Sequence, residues 1–474
     1  MRDADAPLLA AWQAFRASGA TPFTIPGHKR RGAALSATLG EVLSSDVPLF
    51  GGLAPVKHAV RLLSDAERLG AELWSADWCR YSTGGSTHVN QVAALAVGRP
   101  GDTVLVARTA HRSTLSGLIL AGLRPVWLPT DVDERFGLPS GLSVPALEAA
   151  LDANPEAAAV FLVEPSYVGT LSALPQVIEA VHRRELPVVV DQAWGAHLGF
   201  APAYPPHAIA AGADVMIASA HKTLPSYSQA ALIAARTERV SAARLDRAFD
   251  VGATTSPAGS ILASIDAARA VLASPTGRDL LERLVALVAR ARDRLRAVGL
   301  VVPGPEDFAA GRFDPAKLVL ILDDADGLAV ERDLIAAGLP VEQADRDTLV
   351  PIVTMLDDER TLDRLVGEVA ESVGRNRSAR DRVPSAVWTA AIPPSAMTPR
   401  EAFFARHEVA PAAEAVGRTS AELIAPYPPG IPLLAPGEVI TAAAVEALQA
   451  AAAGGTRIAY ARDPSLNSFE VVIE

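Results

Sequence analysis

The stretch Asp214-Val215-Met216-Ile217-Ala218-Ser219-Ala220-His221-Lys222-Thr223-Leu224 passes from an apolar, partly β-branched run into a small polar cluster. Such a run reads as a buried parallel strand that ends in a functional loop, because a strand covered on both faces shows no apolar-polar alternation. Lys222 then stands at a strand end. A lysine placed there, next to a histidine and a serine, suits Schiff-base chemistry: burial lowers the amine pKa, and the neighbours can donate to an anion. Taken alone, the same tetrad is more often a solvated surface lysine after a strand. The sequence upstream favours the chemical reading.

About thirty residues earlier, Leu186-Pro187-Val188-Val189-Val190-Asp191 is a second buried strand pattern, closed by a carboxylate. A strand-end aspartate often only caps a helix or sits in a loop. Paired with Lys222 at the end of the next strand, it fits pyridoxal phosphate. The lysine would hold the aldehyde, and the carboxylate would keep the pyridine nitrogen protonated, making the ring an electron sink. Further upstream, Ser82-Thr83-Gly84-Gly85-Ser86-Thr87-His88-Val89-Asn90 opens a helix. Free backbone N–H groups and hydroxyls at a helix start bind phosphate, so Gly85, Ser86 and Thr87 form the expected phosphate cradle. Clusters of this kind also cap helices that bind nothing. His111 follows a strand pattern and could stack on a cofactor ring, or it could be an ordinary loop histidine.

Half of the 474 residues are apolar, enough to bury large cores and to build two domains. The single cysteine, Cys79, rules out an internal disulfide and a cysteine-based metal cluster; no metal site is expected, and a reducing, cytoplasmic setting fits. The net charge of −11 is spread along the chain without a basic block interleaved with aromatics, which gives nucleic-acid binding no support. Asp3 and Asp5 stand where a secretory signal would carry basic residues. No uninterrupted apolar run of about 18 residues follows, so export and membrane insertion are not expected.

Along the chain, Leu8 to Ala17 has the spacing of a short amphipathic helix. Thr21-Pro22-Phe23-Thr24-Ile25-Pro26-Gly27-His28-Lys29-Arg30 is a loop with a basic end, either a linker or an anion contact. Helical spacing runs from Val56 to Leu73. Strand patterns then recur at Thr103 to Ala107, Pro125 to Leu128, Ala159 to Val163, Pro187 to Val190, Asp214 to Ala218 and Ala230 to Ala234, with helical stretches between several of them. This alternation predicts an α/β fold: a mostly parallel sheet wrapped by helices, with ligands at the C-terminal strand ends. Leu318 to Leu322 and Leu349 to Val353 read as strands of a second sheet, separated by a helix over Gly327 to Ala337, which predicts a smaller α/β domain. The expected division is an N-terminal arm over 1–45, a cofactor-binding large domain over 46–290 and a small domain over 291–474. Tyr427-Pro428-Pro429-Gly430-Ile431-Pro432 is a rigid loop, and an alanine-rich helix lies near Ala442 to Ala453.

Together, Pro26-Gly27-His28-Lys29, Gly85-Ser86-Thr87, His111, Asp191, Ser219-Ala220-His221-Lys222 with Ser228-Gln229-Ala230, and the proline run at 427–432 resemble the ornithine/lysine/arginine decarboxylases. These are fold-type I pyridoxal phosphate enzymes. The resemblance covers nearly the whole chain and is to the short members without an N-terminal receiver-like domain. It implies that Lys222 carries the cofactor, Asp191 pairs with the ring nitrogen and His111 stacks on the ring. Ser86, Thr87, Ser219 and His221 would hold the phosphate. Thr255 and Ser256 match a segment that reaches the cofactor of a neighbouring subunit, implying a homodimer or higher homo-oligomer with composite sites. Trp194 would pack beside the site, and Lys222 or His221 would return a proton to Cα.

A basic amino acid also needs a carboxylate for its distal cation, and Glu422, close before Tyr427, is the expected one, unless it is simply a solvated glutamate. The chain departs from the family pattern in three places: Val47 to Pro55 is apolar where acids are usual, Gln192 replaces a common Glu, and Thr83-Gly84 replaces a common Asn. These leave the choice among arginine, lysine and ornithine open. Besides decarboxylation, the residues are compatible with a pyridoxal-dependent aminotransferase or oxidase, or with a non-catalytic cofactor-binding protein.

Overall fold

The computed structural model describes residues 2–19, 24–26, 28–47, 56–378, 391–427 and 430–473. Of the stretches singled out above, residues 21–23, Gly27, residues 48–55, Pro428 and Pro429 lie outside these.

Seven strands form the central sheet: β1 (Trp78–Ser82), β2 (Thr103–Ala107), β3 (Arg124–Leu128), β4 (Val160–Val163), β5 (Val188–Asp191), β6 (Val215–Ser219) and β7 (Ala231–Ala235). Across the sheet they run β1-β7-β6-β5-β4-β2-β3. Only β7 is antiparallel to its neighbours, β1 and β6. The remaining pairs are parallel, as the alternation of strands and helices predicts. Helices cover both faces. Successive strand residues therefore enter different cores: Val188 and Val190 pack with Leu262 and Leu281, whereas Val189 packs with Val89 and Leu245. β1 was not anticipated as a strand because Arg80 interrupts its apolar run. The fold accommodates that charge at the sheet edge, where Arg80 pairs with Glu67 and Asp246.

The sequence-predicted helices form over Pro7–Ala17, Val56–Leu73, Gly85–Val97, Gly327–Ala336 and Ala442–Ala453. The long helix Pro275–Ala297 runs through position 290 without a break and leads to a three-stranded antiparallel sheet of Leu320–Ile321, Thr348–Val350 and Gln343–Ala344. The segment from 391 onward adds two small antiparallel pairs, His407–Pro411 with Ser468–Val472 and Ala425–Tyr427 with Arg457–Ala459, around its own apolar cluster.

This last segment is clasped to the central sheet. Arg108, just past β2, is buried and makes a two-pronged ion pair with buried Glu438, at 2.5 and 3.0 Å; it also donates to the Leu433 carbonyl at 2.8 Å. Among the described residues, no helix is long and apolar enough to cross a membrane, and no cluster of three or more His, Cys, Asp or Glu side chains suits a metal ion.

Candidate active site

The C-terminal ends of β5 and β6 lie side by side, with Asp191 paired in register with Ile217. Asp191 is the last residue of β5 and is buried. Lys222 lies in the single helical turn Ala220–Thr223 that follows β6. Burial lowers the Lys222 pKa, while the Asp191 and Glu342 carboxylates oppose that shift. The amine thus sits where desolvation favours its neutral, nucleophilic form.

Asp191 is held from two sides. Its Oδ1 accepts from the Ala193 backbone N–H at 3.0 Å, and its Oδ2 accepts from the Asn90 side-chain amide at 2.8 Å. The same Asn90 amide lies 3.1 Å from Ser113 Oγ, and Ser113 donates through Oγ (2.8 Å) and its backbone N–H (3.2 Å) to His111 Nδ1. Asn90 therefore couples the ends of β2 and β5. His111 caps the helix Arg112–Ala121, and burial pushes its pKa down to about 4 against the pull of Asp191. A neutral ring with Nδ1 as acceptor is a flat, uncharged surface suited to stacking on a heterocycle.

The expected cradle lies at the start of the helix Gly85–Val97. Gly85 has φ +67° and donates its N–H to the Gln229 carbonyl at 2.9 Å, which sets the helix start against the loop between Lys222 and β7. Ser86 is half-buried and Thr87 exposed. Ser219 Oγ and Thr223 Oγ1 are buried without a hydrogen-bond partner. Orphaned hydroxyls of this kind are costly unless a further acceptor or donor fills the site. His221 donates from Nδ1 to the Ala230 carbonyl at 2.8 Å, leaving Nε2 available, and burial lowers its pKa. Unpaired hydroxyls near a helix start, a partly desolvated amine, a fixed carboxylate and a neutral imidazole are the donor set that pyridoxal phosphate requires, so the residues fit this cofactor.

Trp194 is buried and meets Tyr167 edge-on at 6.1 Å between centroids. Lys222 Nζ lies 4.5 Å from the Trp194 ring centroid. A second lysine, Lys317, lies over the same ring, and Glu342 is a charge neighbour of Lys222, His221 and Lys317. Sequence reasoning missed Asn90, Lys317 and Glu342.

Two expected groups are not brought to this cluster within one chain. Thr255 and Ser256 are exposed on the loop before helix Gly259–Leu272, and Thr255 lines a cavity of about 530 Å³ with Thr83, Gly84 and His88. Glu422 is buried, and its two carboxylate oxygens accept from the backbone N–H groups of Arg462 (2.7 Å) and Glu470 (2.8 Å). It pins the C-terminal strand and is committed there. In the N-terminal arm, His28 pairs with Asp46 at 3.1 Å.

The sequence profile of the Orn/Lys/Arg decarboxylase major domain matches residues 6–308, and that of the Orn/Lys/Arg decarboxylase C-terminal domain matches residues 383–458. The chain belongs to the Orn/Lys/Arg decarboxylase family. It is similar to an arginine decarboxylase of Halalkalibacterium halodurans, 33% identical over 100% of this chain and 99% of that one. It is similar also to an arginine decarboxylase of Bacillus subtilis, 31% identical over the same shares of the two chains. Among solved structures, the Francisella novicida lysine decarboxylase superposes with a TM-score of 0.84 at 19% identity, over 99% of this chain and 81% of that one. The Escherichia coli constitutive lysine decarboxylase gives 0.79 at 21%, over 100% and 82%. The fold is thus that of fold-type I pyridoxal phosphate enzymes, and the family is one of amino-acid decarboxylases.

Proposed function

We propose that this decarboxylase acts on arginine, releasing its α-carboxylate as CO2, with pyridoxal phosphate carried on Lys222. The observation behind the chemistry is the placement of a partly desolvated lysine and a firmly held aspartate at the ends of adjacent strands. For the substrate, support comes from four relatives named arginine decarboxylase, 28 to 33% identical over 92 to 100% of the chain. Bound at Lys222, pyridoxal phosphate supplies a cationic ring that takes up the electron pair left when the Cα–carboxylate bond breaks.

The chain's residues have distinct roles in this reading. Asp191 keeps the proton on the ring nitrogen, with Asn90 and the Ala193 N–H fixing its carboxylate. His111 presents an uncharged face. Gly85, Ser86, Thr87, Ser219 and His221 hold the phosphate. Lys222 Nζ or His221 Nε2 delivers a proton to Cα once CO2 has left. Glu342 is exposed and shares a small opening with Tyr427 and Arg457, and its charge acts on Lys222; it replaces Glu422 as the carboxylate facing the distal guanidinium. In a homodimer, Thr255 and Ser256 would reach across to the partner copy's cofactor.

Arginine, lysine and ornithine are each incubated with cofactor-loaded protein, and amine and CO2 are quantified. Agmatine and CO2 in equal amounts from arginine are expected, and none from Lys222→Ala, whose thermal melt should stay close to that of the parent. Cadaverine or putrescine as the main product would overturn the substrate, and keto acid without CO2 would overturn the reaction.

A further inference from the structure

Lys317 has no part in the roles just described, yet it is built into the same cluster. Only 8% of it is exposed, and its Nζ lies 4.1 Å from the centroid of Trp194, the indole that Lys222 also faces. Its stem runs over bare backbone: at Gly169, which has φ +89°, a Cβ would come within 2.5 Å of Lys317 Cγ. The loop that carries it is anchored by buried Arg292, which donates to the carbonyls of Pro315 and Lys317 at 2.7 Å each. The side chain is therefore aimed, not loosely tethered.

The carboxylates of Asp314 and Glu342 act on it only through space. Asp314 accepts from His197 at 3.0 Å and from the Ala316 N–H at 2.9 Å, and among the described residues Lys317 forms no ion pair. An aromatic face compensates a buried ammonium only in part. Any positive charge on Lys222 adds repulsion at Lys317. Lys317 Nζ therefore has no anion in direct contact, and of the two that the reaction brings, the cofactor phosphate has its own donors at the cradle, in Ser219 and in the start of Gly85–Val97. The remaining anion is the substrate's α-carboxylate.

We propose that Lys317 receives the α-carboxylate of the amino acid and thereby sets the direction of the bond to be broken. This inference rests on the decarboxylase reading and deepens it. It carries an asymmetry: once CO2 has gone, the amine product has no carboxylate to offer Lys317, which favours release.

The test compares acid with amine. In Lys317→Met, which keeps the stem's packing, and in Lys317→Arg, binding of arginine and of agmatine to cofactor-loaded protein is followed by the change in cofactor absorbance. Lys317→Met should weaken arginine binding by about tenfold or more, the scale of one lost charge-assisted contact. Agmatine binding should stay unchanged, which also shows that the variant is folded, and Lys317→Arg should recover part of the loss for arginine. Equal weakening of both ligands, or weakening of neither, overturns the proposal. Should another amino acid prove to be the substrate, the proposed substrate fails while Lys317 is judged by the same comparison of that acid with its own amine.

Discussion

The side-chain amide of Asn90 donates to Asp191 Oδ2 at 2.8 Å across 101 residues of sequence, and through Ser113 it also orders His111. One amide thus fixes two groups expected to contact the cofactor ring, one at its nitrogen and one on its face.

Removing that amide should be costly. Loss of a donor to a buried carboxylate is worth about 1–3 kcal/mol, so Asn90→Ala is expected to lower kcat roughly tenfold to a hundredfold. It should also weaken cofactor binding, read by titrating the apoprotein and following absorbance. Parental values for both would show that Asn90 is only a packing residue.

Glu342 should act on affinity more than on chemistry. Glu342→Gln removes the charge and keeps the shape, so KM for arginine should rise about tenfold while kcat changes little, as for lost uniform binding. Steady-state kinetics decides the matter, and a fall in kcat at constant KM would place Glu342 elsewhere in the mechanism.

Acid should weaken the fold through two histidines. Burial pushes His111 down to about 4, with Asp191 opposing, and burial aided by Arg236 pushes His207 to about 4. Unfolded, both titrate near 6.5. Between those values the unfolded chain binds protons that the native fold refuses. Their stability contribution is therefore intact above pH 6.5, is lost as the pH falls toward 4, and levels off below that. Urea midpoints measured from pH 7 to pH 4 should fall, and His111→Gln should make that fall shallower. An unchanged slope in the variant would contradict the assignment.

The Arg108–Glu438 clasp is a buried pair with both ends committed. Breaking it with Arg108→Met should cost about 3–5 kcal/mol, because the glutamate is left buried without its partner. Arg108→Met combined with Glu438→Leu should cost less than the single change. Urea unfolding of the three proteins measures this, and a double variant weaker than the single one would mean that the clasp is not an isolated pair.

Much of the framework of the candidate site was legible in the sequence because its signals are local. A buried strand that ends in Asp191, another that runs into Lys222, and a helix that opens at Gly85 are each complete within a few residues. β1 was hidden by Arg80, whose charge is neutralised by Asp246, far along the chain. Asn90 lay inside the quoted cluster, but its task is defined only across the sheet. Glu422 stands close to Tyr427 in sequence, whereas in the fold its carboxylate is engaged by backbone donors from the C-terminal segment. Lys317 did carry a cue, a lysine directly before the apolar run Leu318-Val319-Leu320-Ile321-Leu322, which mirrors the arrangement at Lys222. Glu342, an exposed acid beside a two-residue strand, carried none.

The Arg108–Glu438 clasp joins positions 330 residues apart in the order of synthesis. Until residue 438 has been made, the guanidinium beside the His111 turn lacks its carboxylate and has only the Trp127 ring beneath it. The clasp is thus completed late, so early-terminated products with every residue of the Lys222 loop in place would leave the Arg108 guanidinium without its carboxylate.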